Sequence, residues 1–178
     1  MNSVELSLSQ ITTPAHCVPG WSRLVNRWDF MPSETDNAVP AQRSASRLHT
    51  VHVETRGRVE FKDITQLVQK LVSESGVQSG MCLLFAPHTT VGILINENDD
   101  PALQKDLDNF LKQLAPHEGK YHHNDGNCDA HLKAAVIGSS KALLVENGRL
   151  ILGRWQGVFL CEFDGPRRRE LRIKIVAD

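Results

Sequence analysis

KALLVENGRLILGRWQGVFLCEFDGPRRRELRIKIV, residues 141 to 176, decides the fold class. Asn147-Gly148 joins ALLVE to RLILGRW, and this pair favours the left-handed backbone that a two-residue hairpin turn requires. VFLCEF and ELRIKIV follow, linked by Asp164-Gly165-Pro166. In the last of these, Leu171, Ile173 and Ile175 fall on one side while Arg172 and Lys174 fall on the other, the period of two of a half-buried strand. Strands joined by tight turns must pair antiparallel, because a parallel pair needs a long crossover.

Working back along the chain, RLHTVHVET alternates like a further strand, and the short apolar run MCLLFA suits a buried one. VGILIN continues as a strand after His88-Thr89-Thr90. Helices are expected between them. Ile64, Leu67, Val68, Leu71 and Val72 mark one helix face that Gly76 is placed to end. Asp100-Pro101 reads as an N-cap followed by proline at the first helical position, with Leu103, Leu107, Phe110, Leu111 and Leu114 as the buried face and Pro116 as the stop. A third helix is expected from Asp129, as N-cap, to Gly138. The fold class is therefore α+β, a largely antiparallel β-sheet packed with two or three helices.

Residues 1 to 45 are of different composition, rich in Pro, Ser, Thr and Asn, and read as a poorly ordered extension to a domain at 46–178. Within the extension, Trp21, Leu24, Val25 and Trp28 recur at helical spacing, as a short amphipathic helix that docks on its own domain or recruits a partner. A net charge of -1 over 178 residues argues against nucleic acid or a membrane surface as the general partner. No apolar run approaches the roughly 20 residues of a bilayer span. Cys17, Cys82, Cys128 and Cys161 are scattered and form no C-x-x-C pair, so reduced thiols in the cytoplasm are expected.

The chemistry concentrates at breaks in these elements. YHHNDGNCDAH, residues 121 to 131, holds three histidines, two aspartates and a cysteine. His131 in the first turn of a helix feels a positive field that favours the neutral ring, ready to ligate a metal or accept a proton. His123 can fold back towards it, and Asp125 or Asp129 can orient either ring. The competing reading is a solvated loop. His88 interrupts two apolar strands together with Thr89 and Thr90, so these polar groups are either satisfied by neighbours or line a cavity. His88, His123 and His131 would suffice for a zinc-type site with one open position. Asn96 and Glu97 end a strand, where Glu97 could hold Mg²⁺, act as a base or merely favour a helix dipole. Trp155 and Gln156 could floor a pocket for a flat ring. Glu162 lies mid-strand and needs a partner if it faces inward. Arg167, Arg168 and Arg169 form either a solvated turn or a phosphate clamp, and Ser139 could add a hydroxyl donor.

Four segments together, VETRGRVEFKDIT, HTTVGILINENDDP, YHHNDGNCDAHLKAAVIGSS and GRLILGRWQGVFLCEFDGPRRR, resemble the YjbQ (UPF0047) family, in order over about residues 47 to 177. The resemblance implies a YjbQ-like domain that assembles as a homotrimer. It implies a secondary thiamine-phosphate synthase activity, a transfer that joins a pyrimidine methyl diphosphate to a thiazole phosphate and releases pyrophosphate. On that reading His88, Glu97, His123 and His131 are catalytic. Thr89, Thr90, Asn96, Ser139, Trp155, Gln156, Arg167 and Arg169 bind a small phosphorylated metabolite, with a divalent metal, Mg²⁺ or Zn²⁺, on the histidines. The alternatives are a metal-dependent phosphate-ester hydrolase and a non-catalytic metabolite-binding or interaction protein.

Overall fold

The computed structural model describes residues 46–178. The extension at 1–45, with its Trp21–Trp28 segment, lies outside the described residues. The elements run β1 (Ser46–Glu54), β2 (Glu60–Asp63), α1 (Thr65–Ser75), β3 (Ser79–Phe85), β4 (Val91–Glu97), α2 (Pro101–Leu114), α3 (Cys128–Ile137), β5 (Ser140–Glu146), β6 (Arg149–Leu150), β7 (Gln156–Glu162) and β8 (Arg168–Ala177). They form a five-stranded sheet in the order β1-β8-β3-β5-β6 and a three-stranded sheet in the order β2-β7-β4. Every pairing is antiparallel, but only β5 and β6 pair across a tight turn; β7 and β8, expected to pair across Asp164-Gly165-Pro166, lie in different sheets. The Asn147-Gly148 turn has positive φ at both residues, 52° and 70°, which is the conformation of the favoured two-residue hairpin. The strand after it is shorter than expected and stops at Leu150.

Two apolar layers hold the domain. Leu84, Ile173 and Ile175 of the larger sheet face Ile93, Val158 and Leu160 of the smaller one, with Val68 and Val72 of α1 closing the side. On the opposite face of the smaller sheet, Phe159, Cys161 and Phe163 pack under Leu111 of α2 and Ala130 and Ala134 of α3. Strand β7 is therefore buried on both faces, which is why VFLCEF carries no alternation. Burying each such aliphatic side chain contributes about 1.5–3 kcal/mol before chain entropy is counted.

Three further expectations change. MCLLFA is not buried on both sides: Cys82 and Leu84 point into the core, whereas Met81, Leu83 and Phe85 lie on a face of the larger sheet that no other described element covers. Helix α2 buries only Leu111, and Phe110 and Leu114 are exposed, because the helix touches the smaller sheet along a narrow stripe. Its predicted start holds, since Asp100 accepts from the Ala102 amide at 2.8 Å with Pro101 at the first position. Helix α3 is capped by Asn127, without a side-chain cap bond. Asp129 is not its cap, because that carboxylate is drawn inward into an ion pair.

Candidate functional site

The segment between β3 and β4 and one side of α3 form a cleft of about 460 Å³. His88, Thr89, His131 and Ser139 supply its polar groups, and Val91, Ala134, Ala135 and Gly138 its apolar wall. Its geometry depends on how closely α3 lies on β4. A Cβ added at Gly92 would sit 2.5 Å from the Ile137 side chain, so only glycine admits the helix there. The end of α3 would ordinarily turn free carbonyls towards this cleft. Here Lys141 donates to the Ile137 carbonyl at 2.8 Å, the Ile93 amide to Gly138 and the Ala86 amide to Ser139. The negative pole of the helix is thereby neutralised.

Each polar group is held from behind. The His88 Nε2 accepts from the Glu170 amide at 2.9 Å. Burial, followed by the nearby Arg169 charge, pushes the His88 pKa below 6.5, so the ring is neutral at pH 7. The His131 ring stands edge-to-face with His123, centroids 5.1 Å apart, and His123 lies 3.7 Å from Asp125. His123 itself lines a neighbouring depression with His117, Tyr121 and Cys128. The proposed three-histidine metal centre does not assemble within one chain. Among the described residues no group of three His, Cys, Asp or Glu side chains is arranged to hold a metal ion. Asp125 serves His123, while Asp129 turns away from both rings.

Thr90 is a correction of a different kind. It is buried, and its hydroxyl accepts from Arg169 at 2.9 Å instead of facing the cleft. Arg169 is buried too, with two hydrogen bonds to Glu162 at 2.6 and 2.5 Å. Burial opposes charge on Glu162, but the Arg169 fork, the Asp164 amide and the Thr55 hydroxyl outweigh it and hold the carboxyl below its ordinary range. Glu162 thus has the inward partner its position demanded. Arg167 is paired with Asp164 at 2.8 Å. Of the two arginines expected to bind phosphate, Arg169 is therefore committed to Glu162 in the interior, whereas Arg167 is 53% exposed in its side chain at the surface.

The second group of expected residues lies elsewhere. Asn96 and Glu97 end β4, paired with Gly157 and Gln156 of β7. Trp155 is half exposed with the Arg154 guanidinium 4.6 Å over its ring, and the Gln156 amide oxygen accepts from Gly153 at 2.7 Å. Trp155 and Gln156 line a separate depression with Asn98, Asp99 and Arg154. The full length of β4, about 20 Å for seven residues, separates this group from the His88 cleft. One chain cannot bring them together.

One cluster went unforeseen. Asp129 and Lys133, one helical turn apart on α3, are both fully buried and 2.7 Å apart. Arg58 reaches the same carboxylate with two bonds of 2.8 and 3.1 Å, and His117 Nδ1 lies 3.3 Å away. Burial works against the Asp129 charge, yet these donors prevail and hold its pKa far below the usual carboxylate range. The spacing of Asp129 and Lys133 was a visible signal, as an i,i+4 acid–base pair. The Arg58 contact had none, because it spans 71 positions.

This layered antiparallel α+β architecture is shared with solved structures of one group of proteins. An uncharacterised conserved protein of the YjbQ/UPF0047 family from Clostridium acetobutylicum superposes with a TM-score of 0.70 at 48% identity, covering 71% of this chain and 98% of its own. A YbjQ-like protein of unknown function from Sulfolobus solfataricus gives 0.73 at 33% identity, covering 76% and 99%. The UPF0047 protein YugU of Bacillus subtilis is 46% identical over 130 residues, 72% of this chain and 98% of its own length. The UPF0047 protein MJ1081 of Methanocaldococcus jannaschii is 44% identical over 131 residues, 74% and 95%. The profile of the UPF0047 protein YjbQ-like family matches residues 49–178, and the chain belongs to that family.

The thiamine-phosphate synthase reading is overturned. These relatives are uncharacterised UPF0047 proteins and bring no such activity with them.

Proposed function

We propose that the protein binds a small phosphorylated metabolite in the cleft between β4 and α3, and does so as a cytoplasmic homotrimer. The observation that carries this reading is the convergence of His88, Thr89, His131 and Ser139 from separate parts of the chain onto one cleft. Its volume of about 460 Å³ lies within the range of small-ligand pockets. Imidazole N–H groups and hydroxyls can all donate to phosphate oxygens, and Lys141 removes the carbonyl that would repel them. The trimer is supported by the apolar strip of Met81, Leu83, Phe85 and Leu144, which begins beside the cleft where Phe85 pairs with Ser140. Assembly gives the Trp155–Gln156 group a cleft to complete on a neighbouring copy, since it cannot reach its own. The buried, unpaired thiols of Cys82 and Cys161 suit a reducing compartment.

Calorimetry with inorganic phosphate, and with phenyl phosphate and ribose 5-phosphate each against its unphosphorylated counterpart, tests the ligand. Binding confined to the phosphorylated compounds is expected, weakened about tenfold by His131→Ala or Ser139→Ala. No binding at millimolar ligand would end the reading. Light scattering coupled to size exclusion tests the assembly: a trimer is expected for the wild type and smaller species for Leu83→Glu.

A further inference from the structure

The 88–90 segment is tied to the start of β8 at two successive residues. Arg169 holds the Thr90 hydroxyl with its side chain at 2.9 Å, and Glu170 holds the His88 ring with its main-chain amide at 2.9 Å. The Thr90 carbonyl also accepts from the Phe163 amide at 3.2 Å. Arg169 is in turn fixed by a carboxylate with no slack. Glu162 Oε1 accepts from Arg169 Nη2 and from the Phe163 and Asp164 amides, and Oε2 accepts from Arg169 Nε and the Thr55 hydroxyl.

A main-chain amide can only donate. The His88 Nε2 facing it must therefore present its lone pair, and the neutral ring carries its proton on Nδ1. Among the described residues Nδ1 has no hydrogen-bond partner, and the ring lines the cleft. Moving the proton to Nε2 would set one N–H against another. A metal on Nδ1 would demand that move, and a metal on Nε2 would displace the Glu170 bond.

We infer that the buried Glu162–Arg169 pair is a positioning device that locks His88 as its Nδ1–H tautomer, so that the cleft meets its ligand with a fixed hydrogen-bond donor, not a base or a metal ligand. The selection that follows is for a ligand atom that accepts, such as a phosphate or carboxylate oxygen, at the His88 end. This last step rests on the proposed binding reading; the tautomer does not.

The test is a long-range ¹H–¹⁵N spectrum of the histidine side chains in the ligand-free full chain at pH 7, followed by titration with inorganic phosphate. For His88 a pyridine-type Nε2 and a protonated, pyrrole-type Nδ1 are expected. Thr90→Val keeps the Glu162–Arg169 pair but cuts its link to the segment. It is expected to admit the second tautomer and to weaken phosphate binding about tenfold. A wild-type His88 protonated on Nε2 would overturn the inference, whether or not the variant folds. An unchanged tautomer in a folded Thr90→Val protein would remove the positioning role. Wild-type protein with the expected tautomer but no phosphate binding would support the lock and refute only the binding reading.

Discussion

Replacing Asp129 with Asn tests the energetics of the buried cluster most sharply, because the two sides of the cluster are unequal. Lys133 is 2% exposed in its side chain and its ammonium bonds Asp129 alone among the described residues. Asp129→Asn keeps the shape but strands that ammonium. Breaking a buried pair by removing one partner costs about 3–5 kcal/mol. Lys133→Met leaves the carboxylate with both Arg58 bonds, so only one charged hydrogen bond is lost, about 1.5–3 kcal/mol. The double variant Asp129→Asn/Lys133→Met removes the stranded charge and should recover part of the Asp129→Asn loss. Urea unfolding at one fixed protein concentration measures all three, which matters for an oligomer. The pH dependence has a definite sign. The Asp129 pKa is lowered on folding, so its contribution is present above the unfolded carboxylate value near 3.9 and disappears as the pH falls below it. Asp129→Asn should flatten that acid limb. A Lys133→Met protein less stable than Asp129→Asn, or a double variant no better than Asp129→Asn, would refute the reasoning.

Other outcomes follow from the same geometry. The His88 pKa is lowered, so its stabilising contribution is present above the 6.5 of a free imidazole and is lost as the pH falls from there through the folded pKa; an NMR titration should place the His88 midpoint below 6.5. Burial pushes the Cys82 thiol up to about 11 and the Cys161 thiol up to about 12. In the folded protein iodoacetamide should therefore leave both unmodified and label half-buried Cys128, as read by peptide mass spectrometry. Gly92→Ala must push α3 away from β4, and a loss of about 1–3 kcal/mol in urea unfolding is expected together with weaker ligand binding at the adjacent cleft. Ile173→Ala opens a cavity between the sheets and should cost about 2–5 kcal/mol with the binding constant unchanged.

Much of the fold is legible in short stretches. The alternation of Leu171, Ile173 and Ile175, the Asn147-Gly148 turn, the Asp100-Pro101 helix start and the Gly76 stop all appear in the structure as the chain suggests them. Each is a local device, in which neighbouring residues set the backbone themselves. The expectations that changed concern what lies across an element. Phe110, Leu114, Met81 and Leu83 have the spacing of buried residues, but nothing within the described residues covers them. Periodicity says which side is apolar and cannot say whether another layer meets it.

The candidate site divides in the same way. His88, Thr89, His131 and Ser139 stood out because polar groups interrupt apolar strands or open a helix, and they share one cleft. Thr90 stood out for the same reason and Arg169 as part of a basic run, and both proved to be braces behind it. The amino-acid sequence by itself determined the strand period, the turns and the one pairing, β5 with β6, that a two-residue turn closes, since these follow from the conformational preferences of adjacent residues. Only the tertiary structure decided that Arg58 meets Asp129 across 71 positions, that Glu162 claims Arg169, and that the length of β4 divides the Trp155 group from the histidines. Those outcomes depend on the stacking of two sheets and three helices, and a pairing that desolvates charges from remote segments leaves no mark on the spacing of either one.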